Sequence, residues 1–261
     1  MLLYYTVCVI IPLVIKMLNA EKIKSYFTDD IEVFTYDITD STNPQAKQML
    51  REGLSCNALF VANQQSGGRG RQGKSFYSPA STGLYMSVAL QGKSAPDSLF
   101  VTSAAAVLVA QAIEELCNVD IKIKWVNDLY IDDKKVCGIL TEAVRDVKGV
   151  LIGVVVGIGI NISTTSFPEE IVATSIGQAV DRNHLCAVVT QKILNADFND
   201  KKILEEYKKR SMVIDRDITY YINNIPHNAT AVDIDNNGAL VVNSDGQIIT
   251  LASGEITLRL K

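Results

Sequence analysis

The segment Gly68–Ser75 restricts the possible folds more than any other part of this sequence. It reads Gly-Arg-Gly-Arg-Gln-Gly-Lys-Ser and literally matches the phosphate-binding pattern G-x-x-x-x-G-K-[ST]. A P-loop with that pattern joins a strand to a helix whose first turn points its backbone amides at phosphate. Residues 76–83, which follow the segment, contain Pro79 and then Ser-Thr-Gly, a pattern that predicts no helix. The sequence therefore favours a Gly/Arg loop between two strands over a P-loop.

The loop still indicates a binding role through its composition. Its glycines allow the backbone to approach a ligand closely, and Arg69, Arg71 and Lys74 concentrate positive charge in a chain with a net charge of −4. Such a loop suits a phosphate or a carboxylate. Taken alone, such a loop is more typical of a mobile, solvated basic turn.

The hydrophobic pattern predicts a larger α+β region followed by a small β module. The predicted strands and helices are a strand at 32–38, a helix from Thr42 or Asn43 to Glu52, strands at 57–63 and 83–90, a long helix at 97–117, a hairpin within 121–145, a central strand at 150–162, and two helices within 184–210. After Ser211 the chain changes to short strands with turns at Asn236–Gly238 and Asp245–Gly246, which predict a β-barrel-like module of about fifty residues.

Composition excludes several classes of protein. The acidic balance argues against a dedicated nucleic-acid binder. The two histidines lie outside any cluster with metal-ligand spacing, and the five cysteines contain no C-x-x-C pair. We therefore expect reduced thiols in a cytoplasmic protein, with no zinc site and no His-dependent triad.

The apolar run Leu2–Ile15 does not predict a membrane anchor. It is shorter than the roughly 20 residues that a membrane helix needs, and Pro12 interrupts it. Nothing basic precedes the run, so a secretory signal peptide is also disfavoured. We treat residues 1–30 as an N-terminal extension without an assigned role.

The Gly/Arg loop with its flanks, Gln65–Lys74, closely resembles the biotin-binding loop of biotin–protein ligases. Further segments resemble that family in the same order along the chain: Asp40–Asn43, Lys124–Asp128, Lys135–Glu142, Gly157–Asn161 and Gly254–Arg259. The resemblance spans roughly residues 32 to 261. Two positions depart from the family pattern: Val126 stands where proline is usual, and Phe76 where tryptophan is common.

The resemblance implies a fold and an activity. The fold is α+β, with a central mixed sheet flanked by helices in residues 31–211, as in class II synthetases, and a small SH3-like β-barrel in residues 212–261. The activity is formation of biotinyl-AMP from biotin and ATP with Mg²⁺, followed by transfer of biotin to a lysine of a biotin carboxyl carrier protein. Only about thirty residues precede the catalytic region, so we expect a monofunctional enzyme without a DNA-binding domain. Monomer and homodimer both remain open.

The same resemblance implies the roles of individual residues. Biotin would contact Ser41, Thr42, Asn43, Gln65, Arg69, Gly70, Arg71, Lys135 and Gly138. ATP would contact Arg71, Phe76, Asn127, Asp128 and Asn161. The expected catalytic residues are Lys135, Arg69 and Asp128, and Asp128 is also the candidate Mg²⁺ ligand, because Mg²⁺ prefers oxygen donors.

Three alternatives are compatible with parts of the sequence. A lipoate–protein ligase or octanoyl transferase of the same superfamily would attach a different acyl group to a similar lysine. A nucleic-acid-binding module would use the basic loop and the C-terminal β module on phosphates. A non-enzymatic biotin binder would have no need of Asn127, Asp128 or Lys135.

Overall fold

Two β-sheets and five α-helices make up the computed structural model, which describes residues 17–92, 99–198, 200–222, 225–252, 254 and 256–258. The first sheet contains β1 (Glu32–Thr39), β2 (Ala58–Gln65), β3 (Gly83–Gln91), β4 (Lys122–Lys124), β5 (Asp128–Ile131), β6 (Lys134–Arg145) and β7 (Leu151–Asn161). The helices are α1 (Ala20–Lys24), α2 (Thr42–Glu52), α3 (Leu99–Leu116), α4 (Arg182–Leu194) and α5 (Lys201–Arg210). The apolar run at 2–15 lies outside the described residues.

The seven strands of the first sheet are ordered β1-β2-β3-β7-β6-β5-β4. The pair β1 and β2 is parallel, and all the other neighbouring pairs are antiparallel. The predicted α+β class with a central mixed sheet is therefore confirmed. The strand β7 lies at the centre of the sheet, as its β-branched, apolar sequence predicted, because such a strand can be covered on both faces.

Helices cover both faces of this sheet. On one face α2 packs Ala46 and Leu50 against Phe60, Ala89 and Val155 of the strands. On the other face α3, which is apolar on all sides, joins α1, α4 and α5 in the main hydrophobic core. The sequence offers Thr42 or Asn43 as the N-cap of α2, but the cap is one residue earlier: Ser41, in an extended conformation, is the N-cap residue, and Thr42 is already helical.

The second sheet is a small antiparallel one, as predicted for an SH3-like C-terminal module. Its strands are β8 (Asp217–Ile222), β9 (Ile225–Ile234), β10 (Leu240–Ser244), β11 (Gln247–Leu251) and β12 (Ile256–Leu258), in the order β11-β10-β9-β8-β12. The expected C-terminal strand at 254–259 contains β12, and Glu255 and Arg259 lie outside the described residues.

The turn between β9 and β10 docks the second sheet on the first region. The indole Nε1 of Trp125 donates a hydrogen bond of 2.9 Å to the carbonyl of Gly238 in this turn. Gly238 has a φ of 82°, and a Cβ there would come within 3.0 Å of Ser103 Oγ and 3.3 Å of Phe100 Cα on α3. A glycine is thus required both by the left-handed backbone and by the close approach of the helix.

In the part of the chain that the structure describes, none of the helices combines the length and the apolar character of a membrane span.

Candidate active site

A cleft of about 1000 Å³, part of it open to solvent, lies on the α2 side of the large sheet. Its floor includes three glycines, Gly157 and Gly159 of β7 and Gly138 of β6, which have no side chain to fill the space. Gly159 pairs with Gly138 of β6, and a Cβ on Gly159 would lie 2.5 Å from the Phe76 ring. A Cβ on Gly157 would overlap the carboxamide of Asn43. The Gly-Ile-Gly-Ile-Asn sequence therefore opens space above one face of the central strand.

The N-terminus of α2 supplies a buried polar wall at one side of the cleft. Gln65 Oε1 accepts hydrogen bonds from the backbone N–H of Thr42 at 2.9 Å and from its hydroxyl at 3.4 Å. Gln65 Nε2 donates to Ser78 Oγ at 3.0 Å. Thr42 and Asn43 are 3% and 4% exposed, so polar groups here require hydrogen-bonding partners in the protein or in a ligand.

A second layer of polar side chains lies behind this wall. Ser87 Oγ of β3, which is fully buried, lies 2.7 Å from Thr42 Oγ1 and 2.6 Å from Asn43 Oδ1. Asn43 Nδ2 donates to Glu142 Oε2 at 2.8 Å and to the carbonyl of Leu140 at 3.3 Å. The sequence did not identify Ser87 or Glu142 as site residues, although Glu142 ends a segment that resembled the family.

The Gly/Arg loop forms the opposite wall and is not a P-loop. Arg69 and Ser75 form an isolated antiparallel bridge around a short 3₁₀ turn at Arg71–Gly73, and the next regular element is β3. The prediction that no helix follows the loop is confirmed. Arg69 lies 3.9 Å from Asp40, and both side chains are about half exposed, so this ion pair is weak.

Arg71 points its guanidinium into the cleft next to Asn127. Arg71 Nη1 donates a long hydrogen bond of 3.4 Å to Asn127 Oδ1. Burial lowers the pKa of Arg71, while the nearby Asp128 and Tyr207 act in the opposite direction. Because a partly desolvated cation gains most from an anionic ligand, Arg71 is suited to bind a phosphate or carboxylate that enters the cleft.

Lys135 and Asp128 form the charged centre of the cleft. Lys135 Nζ lies 2.8 Å from Asp128 Oδ1, and the two side chains are 29% and 25% exposed. The same Nζ lies 5.9 Å from the centroid of the Phe76 ring, which rests on the glycines of the floor. In this state Asp128 neutralises Lys135.

Buried groups hold the Trp125–Asp128 segment in place. The Tyr207 hydroxyl of α5 donates to the carbonyl of Val126 at 3.1 Å, and burial raises the pKa of Tyr207 well above its ordinary value. Asn127 Nδ2 donates to the carbonyl of Ile139 at 2.8 Å. The peptide bond between Trp125 and Val126 is cis. These contacts fix the backbone that presents Asn127 and Asp128 to the cleft.

Most of the predicted site residues lie around this one cleft. Its lining includes Ser41, Thr42, Asn43, Gln65, Arg69, Gly70, Arg71, Phe76, Asn127, Asp128, Lys135 and Gly138. The structure places Asn161 elsewhere: it is 3% exposed at the end of β7, its Nδ2 donates to the carbonyl of Thr174 at 3.1 Å, and it is not part of the lining.

The lining also contains residues that the sequence did not indicate. Gly254 and Ile256 of the C-terminal module reach the cleft, as does Met86 of β3. Trp125 is 5% exposed and also lines the cleft. Nothing in the local sequence around Gly254 marks it as part of a site, because only the docking of the second sheet brings it there.

The residues present fit one mode of magnesium binding. Among the described residues there is no group of three or more His, Cys, Asp and Glu side chains that could enclose a metal ion. Mg²⁺ at nucleotide sites needs no such cage, since it is held by one or two carboxylates and by substrate phosphates. Asp128, which lines the cleft beside Arg71 and Lys135, could provide that carboxylate.

Comparison with known proteins places this architecture in a family. Residues 35–161 match the model of the Biotin/lipoate A/B protein ligase family, and residues 223–259 match that of the Biotin protein ligase C terminal domain. The Bifunctional ligase/repressor BirA of Salmonella typhimurium is 31% identical, over 95% of this chain and 81% of that protein. The Biotin--[acetyl-CoA-carboxylase] ligase of Mycobacterium tuberculosis is 25% identical, over 84% of this chain and 85% of that protein.

A similar solved structure agrees with this assignment. The biotin protein ligase from Aquifex aeolicus, in complex with biotin and ATP, superposes with a TM-score of 0.74 and 25% identity, over 88% of this chain and 99% of that chain. Both sheets and the sequence around the cleft thus have counterparts in one group of proteins. The chain belongs to the biotin/lipoate A/B protein ligase family.

Proposed function

We propose that this chain is an ATP-dependent biotin–protein ligase, which forms biotinyl-AMP and then transfers the biotinyl group to a lysine of a biotin carboxyl carrier protein. The observation that carries the proposal is the pairing, in one cleft, of a buried polar wall with a cationic wall. Thr42, Asn43 and Gln65 form the first, and Arg71 and Lys135 belong to the second. A substrate with a small polar head group and a carboxylate that reacts with a phosphate needs both walls. The polar wall binds the head group, and the cationic wall neutralises the carboxylate and the phosphate.

In the first reaction step the biotin carboxylate attacks the α-phosphorus of ATP, and pyrophosphate leaves. Two anions must come together, so the principal barrier is electrostatic. Arg71 and Lys135 neutralise the carboxylate and the α-phosphate, and Arg69 adds a third positive charge from the loop. Mg²⁺, when bound through Asp128, would supply further neutralisation of the phosphates.

In the second step an acceptor lysine amine attacks the activated carbonyl, and AMP leaves. Both nucleophiles belong to substrates, so the protein needs groups that position and neutralise them rather than a nucleophilic side chain. Asp128 can draw the lysine ammonium toward the reacting carbonyl once its partner Lys135 has turned to the substrate. Phe76, Asn127 and Asn161 remain proposed contacts of ATP.

The head group distinguishes biotin from the acids of the rival reactions. A ureido ring carries two N–H donors and one carbonyl acceptor, whereas a dithiolane or an alkyl chain has none. The oxygens of Thr42 and Gln65 in the polar wall can accept further hydrogen bonds from those N–H groups, whereas an apolar ligand would cover the wall without adding any. This argument favours biotin over lipoate or octanoate.

The proposal is tested by ATP-dependent transfer of labelled biotin to a biotin carboxyl carrier domain, in competition with lipoate and octanoate. We expect labelled carrier only when ATP is present, with no inhibition by excess lipoate or octanoate. Preferential transfer of either competing acid would overturn the assignment of substrate.

We also propose that the protein is cytoplasmic, which agrees with the four described cysteines being free. We propose that the enzyme works as a monomer or a homodimer. For the layout of the chain we propose an N-terminal extension at 1–30, a catalytic domain at 31–211 and a C-terminal domain at 212–261.

A further inference from the structure

The carboxamide of Asn43 has one orientation imposed on it from behind the cleft. Its Nδ2 atom has two N–H bonds, and both are used, toward Glu142 Oε2 at 2.8 Å and toward the carbonyl of Leu140 at 3.3 Å. A carboxylate can only accept, so the carboxamide nitrogen must face Glu142. The oxygen Oδ1 consequently faces Ser87, which lies 2.6 Å away.

Ser87 transmits this orientation to Thr42. The Ser87 hydroxyl carries a single proton and lies within hydrogen-bond distance of Asn43 Oδ1 and Thr42 Oγ1. Because Asn43 Oδ1 has no proton to give, Ser87 must donate to it. The proton of Thr42 then has two acceptors within the protein, Ser87 Oγ at 2.7 Å and Gln65 Oε1 at 3.4 Å, because the Ser87 proton is already used on Asn43.

The outcome is a defined polarity at the cleft surface. Thr42 lines the cleft, and with its proton directed to Ser87 or Gln65 its oxygen is left as an acceptor for a ligand. An acceptor at this point complements an N–H group of a ligand. The choice between acceptor and donor therefore originates at Glu142, which need not touch the ligand itself.

Glu142 is well held as a carboxylate. Its Oε1 accepts a hydrogen bond of 2.6 Å from Nζ of Lys47, which lies one turn after Asn43 on α2. The side chain of Lys47 is 19% exposed and that of Glu142 is 29% exposed. Burial acts to raise the pKa of Glu142, but the hydrogen bonds from Lys47 and Asn43 outweigh it and lower that pKa below its ordinary value. The group thus stays ionised at neutral pH.

We propose that Glu142 is a positioning residue that, through Asn43 and Ser87, sets Thr42 as a hydrogen-bond acceptor for an N–H group of the substrate head. The inference rests on the proposed function, since the ureido ring of biotin supplies that N–H. It extends the site by three residues to which the resemblance assigned no role: Glu142, Lys47 and Ser87.

Steady-state kinetics of biotin-dependent pyrophosphate exchange test this inference with Glu142→Gln and Ser87→Ala. A glutamine can present either oxygen or nitrogen to Asn43, so the carboxamide is no longer held in one orientation. We expect the KM for biotin to rise about tenfold in each variant, the effect of one misdirected hydrogen bond. The KM for ATP and the melting temperature should stay close to those of the parent.

Glu52→Gln, at the exposed end of α2, is the matched control, and its kinetics should equal those of the parent. An unchanged KM for biotin in both variants would overturn the inference while leaving the proposed function intact. A loss of folding or of kcat without a change in the KM for biotin would identify a structural role and overturn it as well. If the parent shows no biotin-dependent exchange, the proposed function fails first, and the inference with it.

Discussion

Removal of the Lys135 side chain tests whether positive charge in the cleft drives the formation of the adenylate. Lys135 Nζ can approach an oxyanion closely, since it lies 2.8 Å from Asp128 Oδ1 in the structure. We expect Lys135→Ala to fold like the parent, because the side chain is 29% exposed and its ammonium lies over the Phe76 ring in the cleft rather than in the core.

The size of the effect follows from the electrostatics of the cleft. A cation about 4 Å from a unit negative charge is worth about 4 kcal/mol at an effective dielectric constant near 20, and about 1.4 kcal/mol corresponds to a factor of ten in rate. To reach the substrate, Lys135 must break its ion pair with Asp128 and lose part of its hydration. We therefore take about half to three quarters of the 4 kcal/mol as the net stabilisation. The expected loss is therefore about 30-fold to 200-fold.

Biotin-dependent exchange of pyrophosphate into ATP measures this loss directly, because it reports the first step without an acceptor protein. Lys134→Ala is the matched control: it removes an exposed lysine at the adjacent position and should retain the rate of the parent. Lys135→Arg keeps the charge and should recover part of the activity. A rate for Lys135→Ala within about threefold of the parent would refute the electrostatic role, since the worked magnitude excludes so small an effect.

Two further predictions concern packing and pH. Gly159→Ala should displace the Phe76 ring and destabilise the fold by about 1 to 3 kcal/mol. In a Phe76→Ala background, thermal unfolding should show that Gly159→Ala causes little further loss of stability. An equal loss of stability in both backgrounds would contradict the contact. Burial acts to raise the pKa of Asp181, but hydrogen bonds from Lys22 and Asn183 hold it at about 2, below its ordinary 3.8. A carboxylate whose pKa is lowered by folding stabilises the folded state above about pH 4, and this stabilisation is lost as the pH falls toward about 2. Asp181→Asn should thus reduce the free energy of unfolding by about 1 to 2 kcal/mol at neutral pH. Urea titrations should show that this difference in stability between variant and parent becomes smaller in acid. A difference that does not depend on pH would refute the role of the Asp181 pKa.

The local sequence was sufficient to predict the helices and strands whose apolar residues recur with a clear period or whose ends carry a stop signal. The helix α2 ends at Glu52 before Gly53, as predicted, and the strand at Leu151–Asn161 agrees with its prediction to one residue at each end. The absence of a helix after Ser75 could also be predicted, because Pro79 and the following small residues act on their own backbone. The hydrophobic pattern of residues 16–27 also predicts a short amphipathic helix, and among the described residues 17–27 the helix is shorter, Ala20–Lys24.

The sequence by itself identified the charged groups and the Asn-Asp pair of the cleft, because these residues belong to short motifs: the arginines of the loop, the pair after Val126, and Lys135. Only the tertiary structure decided how these groups are oriented and which others support them. Glu142 meets Asn43 across 99 residues of chain, and Trp125 meets Gly238 across 113. Such contacts depend on strand register and on the docking of the second sheet, and the periodicity of the sequence encodes neither, because it reports only which face of an element is buried.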